Sequence, residues 1–322
     1  MNRPDSSHRR SSWKSPALGT TAVVARWLLL PLVAAACIAA LSPASTQAQA
    51  GGDDGRHMLW EVADGEATAG YLLGSVHYMK PEAYPLDSVY DRAFESADVV
   101  AFEVDLDSLQ AEAQTLFLSM GTYQDETTLS RVLSDSTWES LETRLGSLGL
   151  PAAQMQQFEP WAVALTVTAL ELQRAGYSPE SGVDRHFFDR AREAGKTVVG
   201  FETPAEQLRY FDEMTVDLQT AFLRYSLQDA ERTMEQFDEI VEAWQAGDAD
   251  RLADLVQGEL DARFPRLYET IVAGRNRTWM PRITELLESD RMPLIVVGAG
   301  HISGPDGLAT LLREAGFTVE QI

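Results

Sequence analysis

The sequence predicts an α/β protein with a mixed or mainly parallel central sheet and a large helical insertion. Short apolar runs, bounded by glycine or polar residues, occur near both ends of the chain and are typical of buried strands. Between them lies a long block in which apolar residues recur at helical spacing. A strand, a helix and a second strand follow one another early in the chain, and this order is the seed of a parallel sheet.

The first elements form this strand–helix–strand unit. Strands are predicted at residues 58–62 and 70–76, because Asp64-Gly65-Glu66 between them suits a hairpin turn. Apolar residues at helical spacing predict a helix over residues 87–97. The run DVVAFEV at residues 98–104 predicts a buried strand.

Helices dominate the middle of the chain. Pro151 and Pro160 separate some of them, because proline favours helix starts and disrupts helix interiors. The run KTVVGFE at residues 196–202 predicts a further strand. The predicted helices before it cover residues 109–120, 129–145, 161–175 and 181–194.

The last third returns to the sheet. A long helical stretch is predicted from residue 204 to about 260, with breaks near Thr215 and at Gly247-Asp248. A helix at 277–288, a strand at 293–297, a helix at 306–315 and a strand at 317–322 follow. We therefore expect one domain over residues 51–322, with a mostly helical insertion around 108–180 and further helices at 204–260.

Residues 1–50 have the pattern of a secretory signal peptide and leader. Basic residues come first, fifteen mostly apolar residues follow from Trp27 to Leu41, and the stretch ends Ala48-Gln49-Ala50. Fifteen residues are fewer than the ~20 needed to span a bilayer. We expect an exported protein, periplasmic or extracellular, with no stable membrane span once the leader is cleaved; an uncleaved anchor is the alternative.

The part after the leader is strongly acidic. The whole chain has a formal charge of −23, and residues 1–50 carry five Lys or Arg against one Asp, which leaves −27 for the rest. This charge argues against nucleic acid or an anionic membrane as a partner. The single cysteine, Cys37, lies in the leader, so neither disulfides nor thiol ligands are expected beyond it.

Two histidines occur in matching settings. His77 closes the run YLLGSVH and His301 closes LIVVGAGH, each as the last residue of a Gly-x-x-His motif after an apolar run. Both are expected at the carboxyl ends of strands, where ligand sites of open α/β sheets lie. Because more than two hundred residues separate them, only the fold brings them together. The pattern predicts a composite site.

Glu103 is the third candidate, because a carboxylate inside an apolar strand is costly to bury unless it is paired or binds a metal ion. Glu202 ends the KTVVGFE run in an analogous position. Imidazole and carboxylate ligands at strand ends suit zinc, manganese or cobalt. The alternative for each residue is structural: a hydrogen-bonded histidine or a carboxylate at the solvent-exposed rim.

Other polar groups are weaker candidates. Arg275-Asn276-Arg277 is predicted to precede a helix and offers donors for a carboxylate or an oxyanion, although a solvated charge run is equally compatible. Asp184 fits the first turn of a helix, and His186 fits the surface. The chain has no H-E-x-x-H, G-x-S-x-G or phosphate-loop motif, so those chemistries lack support.

The order of these motifs resembles that of the TraB/GumN family, which includes the Tiki metalloproteases. The resemblance covers nearly all of the chain after the leader. It rests on Trp60-Glu61-Val62, YLLGSVHYMKPEAYPL, the strand ending in Glu103, Gly182-Val183-Asp184, FETPAEQL, Arg275-Asn276 followed by Trp279, and VVGAGHISGPDGLATLLREAGFTVEQI.

Resemblance to the Tiki proteins implies a hydrolase that depends on a divalent metal ion held by His77, His301 and Glu103. It leaves open whether Glu103 is a ligand or the general base. Arg275 or Asn276 is expected to stabilise an oxyanion, and the substrate is a peptide or small molecule. Relatives on similar scaffolds leave two alternatives open: a haem or small-ligand binding protein without turnover, and a metal-independent esterase-like hydrolase.

Overall fold

A six-stranded sheet lies at the centre of the computed structural model, which describes residues 55–227 and 230–322. The predicted leader lies outside these residues. The strands are Leu59–Asp64 (β1), Ala67–Ser75 (β2), Val99–Val104 (β3), Thr197–Glu202 (β4), Pro293–Gly298 (β5) and Thr318–Gln321 (β6). Their order is β4-β3-β5-β2-β1-β6, and only β1 runs antiparallel to its neighbours. The predicted mixed, mainly parallel sheet is confirmed.

The apolar runs explain which strands are central. All six residues of β3 and of β5 are buried, as expected for strands covered on both faces. Strands β1 and β2 form the predicted hairpin, and Gly65 in its turn has a φ of +61°, which glycine adopts without a steric cost.

Helices occupy the connections between the strands. The helix Ser88–Ser96 (α1) joins β2 to β3, and Leu308–Glu314 (α14) joins β5 to β6. Between β3 and β4 lie Leu106–Met120 (α2), Leu129–Val132 (α3), Asp135–Ser147 (α4), Pro160–Arg174 (α5) and Val183–Glu193 (α6). Between β4 and β5 lie Pro204–Asp212 (α7), Val216–Ser226 (α8), Ala230–Gln245 (α9), Ala249–Ala253 (α10), Glu259–Arg263 (α11), Pro265–Tyr268 (α12) and Gly274–Leu287 (α13).

Two helix predictions were wrong in detail. The single helix expected at residues 129–145 is divided into α3 and α4, because Ser134 caps α4 by accepting a hydrogen bond from the Thr137 backbone N–H. Arg275-Asn276-Arg277 was expected to precede a helix but lies inside α13. The helical turn Glu269–Ala273 runs directly into α13, so the backbone has no break at this point.

The segment between β4 and β5 contains two π-helical turns, Asp254–Gly258 and Glu269–Ala273. Such turns are rare and frequently occur at functional sites. Both contribute side chains to the cavity described below. Within residues 55–227 and 230–322, no helix is both long enough and apolar enough to cross a membrane.

Candidate functional site

The carboxyl ends of four neighbouring parallel strands meet at one edge of the sheet. Glu103 lies near the end of β3 and Glu202 ends β4, while His77 and His301 follow β2 and β5. Because β2, β5, β3 and β4 are adjacent and parallel, their side chains converge where ligand sites of α/β sheets form. The fold thus joins the two Gly-x-x-His motifs and both glutamates.

Glu103 stands between the two histidines. Its Oε1 atom lies 3.9 Å from Nε2 of His77 and 3.9 Å from Nε2 of His301. The same oxygen accepts a 2.7 Å hydrogen bond from the backbone N–H of Gly298. A side chain at Gly298 would place its Cβ 3.1 Å from Oε1 of Glu103 and 3.5 Å from Nε2 of His77. Glycine here therefore leaves room for the carboxylate and the imidazole.

Arg275 is the cation at the centre of the site. Its Nη2 atom donates to Glu103 Oε2 at 2.6 Å and to Glu202 Oε2 at 2.8 Å, and its Nε donates to Glu202 Oε1 at 2.9 Å. Its Nη1 lies 3.3 Å from Nε2 of His301. Arg275 is buried, so both glutamates have a cationic partner away from water, as buried carboxylates require.

Glu202 holds this guanidinium in place. Besides Arg275, its Oε1 accepts hydrogen bonds from Trp279 Nε1 at 2.9 Å and from the Tyr210 hydroxyl at 3.1 Å. The Arg275 guanidinium also lies over the Trp279 ring, 4.7 Å from its centre. Trp279 is itself buried, and it also orients the charged groups.

Asn276 fixes the orientation of His301. Its Nδ2 donates to the backbone carbonyls of His301 and Asp306, at 3.0 and 2.7 Å, so its Oδ1 is the atom 2.7 Å from His301 Nδ1. An amide oxygen only accepts hydrogen bonds, so His301 Nδ1 carries the proton and Nε2 keeps its lone pair. Asn276 therefore positions His301, and its amide N–H groups are not free for the expected oxyanion role.

Asp184 has the equivalent position beside His77. Its Oδ2 atom lies 3.1 Å from Nδ1 of His77, close enough for an ion pair, although the groups are not aligned as a hydrogen bond. The carboxylate favours a proton on Nδ1 and leaves the Nε2 lone pair facing Glu103. Asp184 lies in the first turn of α6, as predicted, but it serves the site rather than the helix alone.

The neighbouring charges give the two histidines different pKa values. Burial lowers the pKa of His77, but Asp184 and Glu103 outweigh burial and raise this pKa above its usual value. Burial lowers the pKa of His301 to about 3, and the neighbouring Arg275 acts in the same direction. His301 is thus neutral at any physiological pH, whereas His77 is protonated more readily than a histidine in water.

Arg275 keeps Glu103 ionised, as the pKa of this glutamate shows. Burial raises this pKa, but Arg275 and then the two histidines lower it far more, so it lies well below its usual range. Burial lowers the pKa of Arg275, and Glu103 and Glu202 raise it above its ordinary value. The carboxylate and the guanidinium therefore stay charged together.

A cavity opens over these groups. It offers about 50 Å³ to the centres of water molecules, which is room for a few waters at roughly 10–15 Å³ each. This volume does not favour a macrocycle such as haem. The charged site residues line the cavity together with apolar side chains, which are those of Leu106, Leu109, Phe211, Val256, Leu260, Ile271 and Val272.

The donor set suits a divalent metal ion, but its spacing is wide. The Nε2 atom of each imidazole lies 3.9 Å from Glu103, and an oxygen of a buried side chain lies beside each Nδ1 atom, as is usual around metal ligands. Among the residues that the structure describes, however, no three His, Cys, Asp or Glu side chains lie close enough together to hold an ion as placed. His77, His301 and Glu103 are the residues that would hold it.

All five residues predicted for the site converge here: His77, Glu103, His301, Arg275 and Asn276. Sequence reasoning had ranked Asp184 and Glu202 lower and had missed Tyr210. The Gly-Val-Asp motif and the strand-terminal position were available signals for the two carboxylates. Nothing in the sequence distinguishes Tyr210 from other tyrosines on helices. His186, expected at the surface, is half-buried against Tyr84 and Arg190 and belongs to no part of this site.

Comparison with known proteins agrees with this arrangement of motifs. The curated relatives are "Uncharacterized protein YbaP" of Escherichia coli (strain K12) and the protein of the same name from Shigella flexneri. Each is 20% identical over 263 residues, which is 80% of this chain and 94% of the relative. No solved structure matches the chain significantly. Residues 58–321 match the TraB/PrgY/gumN family, so the chain belongs to that family.

Proposed function

We propose that this protein is a hydrolase that uses a divalent metal ion, with His77, His301 and Glu103 as the ligands. The observation that carries the proposal is that the Nε2 atoms of both histidines lie 3.9 Å from the same carboxylate oxygen of Glu103. Asn276 is hydrogen-bonded to Nδ1 of His301, and Asp184 lies 3.1 Å from Nδ1 of His77. A divalent ion in such a site supplies Lewis-acid chemistry and lowers the pKa of water towards neutrality. Manganese, cobalt and zinc all accept this donor set.

The other residues have roles that their contacts support. The low pKa of Glu103 makes it a poor proton acceptor, so we assign it as a ligand rather than the general base. Arg275 remains charged in a buried site, and its five N–H groups are already directed to acceptors on Glu103, Glu202, His301 and Ile271. To donate to a developing oxyanion, its Nη1 would have to release His301 or Ile271. Asp184 and Asn276 orient the two histidines.

The cavity supports a small substrate with an uncharged group beside the hydrolysed bond. Its lining combines the charged residues with aliphatic and aromatic side chains. An apolar wall favours an uncharged aliphatic group over a charged one, because a charge there would lose its hydration without a partner. Short peptides and small esters both meet this description.

Metal-independent hydrolysis is the second candidate, and Arg275 is the observation that favours it. The guanidinium contacts Nε2 of His301, the atom that a metal ion would need, and it already neutralises Glu103. In this reading the His77–Asp184 pair is the general base, and Arg275 stabilises the oxyanion.

A hydrolysis assay with matched variants separates the two candidates. Wild-type protein would be assayed on short peptides and small esters, with added manganese, cobalt or zinc and then with a chelator. We expect activity that the chelator removes and that His77→Ala and His301→Ala lower by more than the ~10- to 100-fold cost of losing an outer-shell partner. His186→Ala, outside the site, should keep wild-type activity.

Activity that persists in chelator but disappears in His77→Ala would support the metal-independent candidate. Activity retained by both single site variants would reject the site assignment altogether. Either result is interpretable only if circular dichroism shows that the variants are folded.

We also propose that the protein is exported to the periplasm or the exterior. The proposal is supported by the order of basic, apolar and small residues over positions 1–50. Mass spectrometry of the protein recovered from the periplasm of an expressing bacterium should give an N-terminus near Gly51. An intact residue 1 in the membrane fraction would contradict cleavage.

A further inference from the structure

Ser75 has a hydroxyl that the fold does not use. It is the last residue of β2 and is 2% exposed, and its Oγ makes no hydrogen bond with any described residue. Most buried side-chain polar atoms have a partner, and leaving one without any destabilises the folded state. The hydroxyl therefore needs a ligand, a water molecule or a functional reason.

The position of Ser75 points into the proposed site. It lines the same cavity as His77, Glu103 and Arg275, and it also lines a smaller adjoining pocket beside Val256. In the parallel pairing of β2 with β5, Ser75 stands opposite Gly298, whose N–H binds Glu103. Ser75 thus lines both spaces, and β5 lies between its strand and the strand that carries Glu103.

The second Gly-x-x-His motif provides an internal comparison. The residue that follows its glycine is Ala299, which is buried and packs against Gly74 of the first motif. The motif can therefore form at a strand end without a hydroxyl at this position. What distinguishes Ser75 from Ala299 is a hydroxyl without a hydrogen-bond partner, on a residue that lines the cavity.

We propose that the Ser75 hydroxyl donates a hydrogen bond to an oxygen atom of the bound substrate, a carbonyl oxygen of an amide or ester. A serine hydroxyl both donates and accepts, and in the cavity no described residue satisfies it. The donor role is chosen over a nucleophilic one because Ser75 makes no hydrogen bond with His77, so no base accepts its proton in this arrangement. The inference rests on the proposed hydrolase function of the same site.

The test uses Ser75→Ala, with Ser226→Ala as the control. Ser226 donates to the Phe222 carbonyl within α8, away from the site. Thermal unfolding and kcat/KM on one ester or amide would be measured for the full chain of each protein. We expect Ser75→Ala to lower kcat/KM by about 100- to 1,000-fold, as for loss of one donor to the transition state, and to leave Tm unchanged or raised.

Several results would overturn the inference. A lower Tm with unchanged kcat/KM would mean that the hydroxyl stabilises the fold, for example through a buried water. Intact-mass detection of an acyl group on Ser75 would replace the donor role with a nucleophilic one. If wild-type protein hydrolyses nothing, the proposed function fails separately, and calorimetric titration with N-acetyl-alaninamide decides the inference. Weaker binding by Ser75→Ala than by wild type would support it, whereas equal binding or no binding to wild type would overturn it.

Discussion

The roles of single residues in the site follow from what each one contacts. Asp184 and Asn276 both hold the Nδ1 atom of a histidine, yet the first is a carboxylate and the second a neutral amide. The Asp184 carboxylate raises the pKa of His77, whereas the neutral amide of Asn276 offers no such charge to His301. Burial lowers the pKa of His301 and Arg275 lowers it further, so the two pKa values move in opposite directions. Of the two histidines, His77 is therefore the one that is protonated more readily.

Replacing Asp184 by Asn should move the acid limb of the pH profile to lower pH. The neutral form of His77 offers its Nε2 lone pair, so activity should fall as pH decreases through the raised pKa of His77. In Asp184→Asn, burial still lowers this pKa, while the carboxylate that raised it is gone, so protonation requires more acid. The profile of kcat/KM against pH measures the shift, and Asp189→Asn, on the exposed side of the same helix, is the control. An unmoved acid limb in Asp184→Asn would show that His77 is not the titrating group.

Arg275 should matter for stability as well as for chemistry. Arg275→Met leaves Glu103 and Glu202 buried without their cation, and breaking a buried pair in this way costs about 3–5 kcal/mol. Arg277→Met, on the same helix but paired at the surface with Glu269 and Asp306, should cost under about 1 kcal/mol. Urea unfolding of the two variants measures the loss in free energy of unfolding. Equal losses would show that Arg275 does not stabilise the buried glutamates.

At the scale of elements, Gly298 is a glycine whose small size the site needs, although the backbone conformation does not. Gly298 has a φ of −51°, which alanine can adopt, but its Cβ would crowd Glu103 and His77. Gly298→Ala should therefore fold and lose activity, by about 100-fold if the catalytic groups move by 1 Å.

Gly146→Ala is the matched control, because Gly146 lies inside α4 with nothing within 4 Å of a Cβ. It should stabilise the protein by about 0.5–1 kcal/mol and leave activity unchanged. Hydrolysis rates and urea unfolding test both variants. Full activity in Gly298→Ala would mean that the space beside this glycine is not used.

The π-helical turns connect the helical segment to the site. Gln257, in the first turn, donates to the backbone carbonyls of Gly300 and Ser303 and so holds the second motif in place. Ile271, in the second turn, accepts from Nη1 of Arg275 at 3.3 Å. The first turn lies in the stretch that was predicted as helical up to about residue 260, and the second lies in a segment that was assigned to no element. Phe264, Leu267 and Ile271 do follow a helical spacing in that segment, but such a spacing does not distinguish a π turn from an α-helix.

At the scale of the whole molecule, the sequence predicted the sheet better than the helical segment. Each strand is a short apolar run with a distinct end, so all six were predicted within a few residues of their bounds. The meeting of the two Gly-x-x-His motifs also followed, because parallel strands present their carboxyl ends at one edge. The clamp of Glu202, Tyr210 and Trp279 around Arg275 could not be predicted, since it depends on how α7 and α13 pack together.

The central claim is that one composite site holds a metal ion between two distant motifs. Elemental analysis of the protein without its leader, beside His77→Ala, His301→Ala and the control His186→Ala, tests it after reloading with manganese, cobalt or zinc. We predict about one ion per folded chain, as for a single site of this donor type, retained in His186→Ala and lost in both site variants. No stoichiometric metal in the folded wild type, or full retention in His77→Ala and His301→Ala, would contradict the claim and leave metal-independent chemistry as the better account.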